Sequence, residues 1–238
     1  MKLEIQRDAK RQRFDHGWLK TAHSFSFARY FDPDRMGFGA LRVINDDWIA
    51  GGAGFDDHFH DNMEIITIPL SGTLEHRDSL GNVGQIKPGE VQHMSAGYGL
   101  LHAEYNPSPT EAVSLLQIWV LPKELAIKPR YAQKRFDLDA KPNQFVTVVA
   151  PDHQAGDALP MNQESVFYLG RFSEQMKTEL KPLGPNHGFY VFVIEGGLEA
   201  AGETLEKRDA FGMSEVDALT LDIKPRSFIL VMDVPMLG

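Results

Sequence analysis

Two histidines placed two residues apart, His58 and His60, follow a Gly-rich turn in the stretch "GGAGFDDHFHDNMEI", and Glu64 stands four residues further on. A second stretch, "SAGYGLLHAEYN", repeats the spacing with His102 and Glu104. In a β-strand, residues i and i+2 project from one face with Cα atoms roughly 6.6 Å apart. His58 and His60 therefore point together, and so do His102 and Glu104. Two such pairs on adjacent inner strands of a barrel could surround one ion, with imidazole nitrogens about 2.0–2.1 Å from it. Three imidazoles and one carboxylate suit iron, manganese, nickel, copper or zinc better than magnesium or calcium. An octahedral ion held in this way keeps about two positions open for substrate, water or oxygen. Glu64 is a second candidate carboxylate, and strand parity does not separate it from Glu104.

The elements that must carry these residues read as strands. "ALRVIND" alternates around Leu41 and Val43, "MEIITIPL" is β-branched and apolar, and "VSLLQIWVLP" sets Val113, Leu115, Gln117, Trp119 and Leu121 on one parity. "ESVFYLGRF" and "DALTLDI" also read as strands. The turn signals "LSGT", "DSLGN", "KPGE" and "SAGYG" fall between them at short intervals, the pattern of an all-β sandwich or barrel. The later segment "GFYVFVIEGGLEAAGETLEKRDAFGMSE" parallels "NMEIITIPLSGTLEHRDSLGNVGQIKPGEVQHMSAG". Two similar β units are therefore expected, joined near "LPKELAIKPRYAQKRF", with Pro122 and Pro129 marking the linker.

Composition excludes several functions. The chain of 238 residues has 42% hydrophobic and 24% charged residues, ordinary for a globular protein. Asp and Glu number 33 against 24 Lys and Arg, a net charge of −9, which repels phosphate backbones and argues against direct nucleic-acid binding. The densest basic run, "RDAKRQRF", reads as a solvated edge. There is no cysteine, so disulfides, thiolate metal sites and cysteine nucleophiles are excluded. The stretch "MKLEIQRDAKRQRFDHGW" lacks the apolar core of a signal peptide and no run approaches membrane-spanning length, so no membrane association is expected and the cytoplasm is the expected compartment. No H-E-x-x-H, G-x-S-x-G or P-loop pattern occurs.

The order Gly52, five residues, His58, Phe59, His60, three residues, Glu64 and then Gly72 resembles the first motif of the cupin superfamily. Gly89, five residues, Ser95, Ala96, Gly97, then His102, three residues and Asn106 resembles the second. Ser95 stands where cupins commonly carry proline, and four residues rather than two separate Gly97 from His102. These departures, with "GWLKTAHSFSFARYFDPDRMGFGALRVINDD" and "MSAGYGLLHAEYNPS", resemble the pirin family over essentially the first 135 residues.

The resemblance implies an all-β bicupin, two tandem jelly-roll barrels facing each other. Residues 1–132 would form the metal-binding barrel and residues 133–238 a degenerate barrel without metal ligands, covering the first and completing its pocket wall. The family's ligands map onto His58, His60, His102 and Glu104, with Glu64 as a partner fixing a ligand histidine. The implied cofactor is one divalent transition-metal ion, Fe(II), with Ni, Mn, Co, Cu or Zn as alternatives.

The implied activity is a metal-dependent dioxygenase opening a flavonol such as quercetin with O2, with Glu104 or Glu64 as catalytic base. The rival readings are an iron-dependent, redox-sensing regulatory protein acting through protein partners, and a cupin isomerase or sugar-binding module. His187 alone stands at the corresponding strand of the second half and is expected to be structural or an exposed loop residue. His16, His23, His76, His93 and His153 are expected to be outside any site. Phe25, Phe27, Phe38 and Trp48 are candidates for a pocket wall, and Met94 for the border of the metal cavity.

Overall fold

A computed structural model describes residues 1–237. Strands dominate, and the only helical segments among the described residues are two single 3₁₀ turns, Asp8–Lys10 and Asp152–Gln154. The first half holds a seven-stranded sheet. Its order is Arg130–Arg135, Glu90–Ser95, Glu64–Ser71, Val113–Val120, Leu41–Ile49, Leu19–His23 and Gln12–Asp15. A four-stranded sheet covers it, ordered Gly54–His60, Leu100–Tyr105, Leu74–Asp78 and Val83–Ile86. The second half repeats the plan with seven strands and four. Each half is a jelly-roll sandwich of the kind expected, and its two sheets keep free edges.

The two seven-stranded sheets pack face to face. Ile66, Ile68, Val91, Leu116 and Ile118 of the first half share one buried cluster with Val148, Phe167, Leu169, Leu230 and Met232 of the second. This explains why strand Glu64–Ser71 reads as a continuous apolar run: both of its faces are buried, one in the sandwich and one against the other half.

The interiors of the two halves differ. In the second half Phe189, Val191, Val193, Leu198, Leu205, Leu221 and Val231 belong to one continuous apolar cluster that fills the sandwich. In the first half the apolar interior is split. Leu19, Ile49, Leu74, Ile86, Val113 and Leu115 fill one end, and Ile65, Met94 and Leu100 pack near the other. Polar side chains occupy the space between.

The division expected at residues 132 and 133 falls inside the strand Arg130–Arg135, which pairs with Glu90–Ser95. At the other end, Lys2–Gln6 pairs with Ala210–Ser214 and so belongs to the second half's sheet. The basic run beside it is an exposed edge, as expected, except at one residue. The Arg11 side chain is fully buried, with its guanidinium 4.4 Å from the Phe192 ring centroid. Arg7 donates to Glu203 and Asp209. These contacts tie the two halves together across nearly the full length of the chain.

Candidate metal centre

Antiparallel pairing of Gly54–His60 with Leu100–Tyr105 sets His102 directly opposite His58. The ladder then shifts register between His102 and Glu104, so that Glu104 lies opposite Phe55. On its other side the same strand runs in regular register with Leu74–Asp78, placing Glu104 opposite His76. Gly54 makes the bulged pairing possible: a Cβ there would collide with the Glu104 carbonyl oxygen and lie 2.6 Å from the Tyr105 Cα.

Three imidazoles meet as a result. The ring centroids are 4.3 Å apart for His58 and His102, and 4.8 Å both for His58 with His60 and for His60 with His102. One ring nitrogen from each lies within 4.8 Å of the others. A second such group joins His102 and Glu104 to His76. His58 Nδ1 is 2.8 Å from the Asp56 carbonyl oxygen, a contact that makes Nδ1 the protonated nitrogen and leaves Nε2 free for a ligand bond.

Burial sets the charges. It pushes the His60 imidazole down to about 4 and His102 to about 2, with neighbouring imidazoles as the further cause, so both rings are neutral and available as donors at pH 7. Glu104 is pushed up to about 7, first by burial and then by Asp47, against hydrogen bonds that favour its anion. One of these is the Gln117 amide, whose Nε2 donates to Glu104 Oε2 at 2.9 Å. Thr67 in turn donates to Gln117 Oε1.

Of the fifteen buried side-chain atoms that lack a partner among the described residues, two belong to the clustered ligand candidates, His102 Nε2 and Glu104 Oε1. Leaving such groups unsatisfied costs about 1–3 kcal/mol each. A divalent cation between them and the other two imidazoles would satisfy both, and this donor set of nitrogens and one carboxylate oxygen fits one transition-metal ion. Beside the cluster lies a cavity of about 160 Å³ walled by Phe27, Phe55, Ile65 and Trp119, with Asn45, Asp47 and Gln117 as its polar members.

Glu64 is elsewhere. On its strand Ile65 and Thr67 face into the sandwich, while Glu64 and Ile66 face the other half. Glu64 Oε2 accepts from the Ser95 hydroxyl at 2.8 Å and the Asn162 backbone N–H at 3.1 Å, and lies 2.8 Å from His93 Nε2. The histidine it holds is His93, not one of the clustered three, which corrects the partner role expected of it. Glu64 also has no route to a substrate in the cavity, which removes the geometric basis for its role as base.

Of the aromatic candidates, Phe27 lines the cavity, Phe25 and Phe38 lie in the core between the halves, and Trp48 is largely on the surface. Met94 packs with Ile65 and Leu100 rather than at the cavity wall. The cavity is lined by residues of the first half alone, so the second half does not complete its wall. His187 is structural, its Nδ1 being 2.7 Å from the buried Asp233. The sequence reading missed His76, which is fully buried against His102; only the strand register brings it there.

Known proteins resemble the chain throughout. The family described as Pirin matches residues 5–120, and the family described as Quercetinase C-terminal cupin domain matches residues 147–234. A protein named quercetin 2,3-dioxygenase from Escherichia coli (strain K12) is 39% identical over 233 residues, covering 98% of this chain and 99% of its own. A pirin-like protein of Caulobacter vibrioides is 39% identical over 219 residues, 92% of this chain and 94% of its own. The crystal structure of the bacterial pirin YhhW from Escherichia coli in complex with nickel(II) superposes with a TM-score of 0.93 at 38% identity, covering 99% of this chain and 100% of that one.

Proposed function

The chain belongs to the pirin family, and on that premise we propose that it is a metal-dependent dioxygenase that opens a flavonol such as quercetin with O2. The observation that carries the reading is the pair of unpartnered buried atoms, His102 Nε2 and Glu104 Oε1, beside an aromatic cavity. The ligands would be His58, His60, His102 and Glu104. Fe(II) is the preferred ion, with nickel(II), manganese, cobalt, copper and zinc as alternatives. When bound, the ion supplies Lewis-acid polarisation of neighbouring substrate oxygens and a path for electrons to O2.

The chain's own residues do the rest. Phe27, Phe55 and Trp119 offer apolar faces and edges to a flat aromatic ring and keep water out of the cavity. Gln117 holds Glu104 through Oε2, so Oε1 is the oxygen that would bind the ion, and Glu104 would act as base by exchanging that bond for the proton of a hydroxyl placed over the cluster. Gln117 and Thr67 keep that carboxylate from rotating away. Neutral His60 and His102 need shed no proton before they act as donors.

The experiment is loss of quercetin absorbance under air by protein reconstituted with Fe(II) or nickel(II), compared with His58→Ala. Turnover above the variant's supports the reading. Equal rates in the two samples would remove flavonols as substrates.

A further inference from the structure

Behind His102, on the side away from the cavity, lies a chain of polar groups that the proposed chemistry does not use. His102 Nδ1 is 3.4 Å from His76 Nδ1, and His76 Nε2 is 3.3 Å from Asp78 Oδ2. Both histidines are fully buried. The His76 ring is held by Tyr131, which stacks on it with 4.6 Å between centroids and an interplanar angle of 23°.

Asp78 is built as an anion. Its Oδ1 accepts the backbone N–H groups of Leu80 and Asn82 at 2.9 and 3.0 Å. The Asn82 amide donates to both carboxylate oxygens, at 3.2 and 2.9 Å. Burial pushes Asp78 up, but these hydrogen bonds outweigh it and hold the carboxyl below its ordinary value. The hairpin "HRDSLGN" thus serves more than its turn, for Leu80 and Asn82 fix the negative charge of Asp78 beside His76.

We propose that Asp78 and His76 form a relay that positions His102 and fixes its tautomer, so that Nε2 is the metal-binding atom. The proton accounting has one consistent solution for neutral rings. An ionised Asp78 can only accept, so His76 carries its proton on Nε2 and presents a bare Nδ1. His102 must then donate from Nδ1, which leaves Nε2 bare, and Nε2 is the atom found buried without a partner. A carboxylate acting through a histidine on a ligand orients the ring and raises its basicity, and loss of such a partner typically weakens metal binding 10–100-fold. His76 and Asp78 are positioning residues here and touch neither ion nor substrate. The relay rests on the reading of His102 as a ligand, whereas the tautomer it dictates exists without any metal.

The test uses the full chain as wild type, Asp78→Asn and His76→Phe, the last keeping a ring against Tyr131. In the metal-free protein, imidazole ¹⁵N shifts should show wild-type His102 as the Nδ1–H tautomer, and the two variants as mixtures or the other tautomer. Nickel(II) dissociation constants by chelator competition should rise 10–100-fold in both variants at unchanged stoichiometry, with circular dichroism reporting the fold. Wild-type tautomer and wild-type affinity in both variants would overturn the relay. So would abolished binding in His76→Phe with unchanged binding in Asp78→Asn, which would make His76 a ligand. Absence of nickel binding by the wild type, with the tautomer as expected, would instead count against the metal site itself.

Discussion

Glu64 and Glu104 are both fully buried carboxylates of the first half, and the seven-stranded sheet separates them: Glu104, on the four-stranded sheet, reaches the imidazole cluster inside the sandwich, and Glu64 the interface with the second half. Their amide variants should therefore separate cleanly. Glu104→Gln removes a ligand oxygen and should lower nickel(II) affinity by at least about tenfold with the fold intact. Glu64→Gln should bind metal as the wild type does and lose about 1–3 kcal/mol of stability, because His93, Ser95 and the Asn162 N–H lose an anionic acceptor. Metal analysis with thermal unfolding of both variants decides it; loss of metal in Glu64→Gln would contradict this assignment.

That contrast marks the limit of what the sequence made legible. The spacing of His58, His60, His102 and Glu104 is a period-2 signal, and it survives folding because both pairs lie on neighbouring strands. Glu64 is ambiguous because its strand is buried on both faces, so alternation carries no information about which face looks inward. His76 is a lone histidine in its strand; the cross-strand register that sets it opposite Glu104 has no trace in local sequence. Two strands depart from a simple partition of the chain into halves for a related reason. Lys2–Gln6 joins a strand some two hundred residues away, and the prolines at 122 and 129 precede a strand that still belongs to the first half.

Asp47, fully buried in the cavity wall, should make stability depend on pH. Burial raises its carboxyl from the ordinary 3.8 to about 7. Between these values the fold holds a proton that the unfolded chain has released, so this contribution to stability is complete below about 3.8 and is lost as pH rises through about 7. Asp47→Asn mimics the protonated form. Metal-free variant and wild type should be equally stable near pH 4, and the variant more stable at pH 8 by roughly 1–4 kcal/mol. Urea unfolding at the two pH values measures this, and a difference independent of pH would rule it out.

The imidazoles act with the opposite sign. His60 and His102 are held at about 4 and about 2, below the ordinary 6.5, so the unfolded chain binds protons that the fold refuses. Their contribution to metal-free stability is present above about 6.5 and is lost as pH falls toward 4. His60→Phe should flatten the acid limb of the stability profile by about 1 kcal/mol or more between pH 6.5 and 4. An acid limb of unchanged steepness would show that the ring is protonated in the fold.

Gly54 should tolerate no side chain. Gly54→Ala places a methyl against the Glu104 carbonyl and Tyr105 Cα, prising apart the strands that carry His58 and His102. A loss of about 1–3 kcal/mol in stability is expected, with weaker nickel(II) binding. Gly52→Ala separates strain from collision in the same turn: a Cβ there meets nothing within 4 Å but φ is +71°, so it should cost stability through the backbone while leaving nickel(II) affinity unchanged. Equal nickel(II) affinity in Gly54→Ala and wild type would contradict the close approach.

The central claim is that one ion held by His58, His60, His102 and Glu104 lets the first half oxygenate a flavonol. Simultaneous recording of O2 uptake and quercetin loss, with Fe(II)-loaded protein, metal-free protein and Fe(II)-treated His102→Ala, tests it most directly. The predicted result is one O2 consumed per quercetin in the loaded wild type, with neither consumed above background in the other two. Quercetin loss at the same rate in all three samples, or loss without matching O2 uptake, would contradict it.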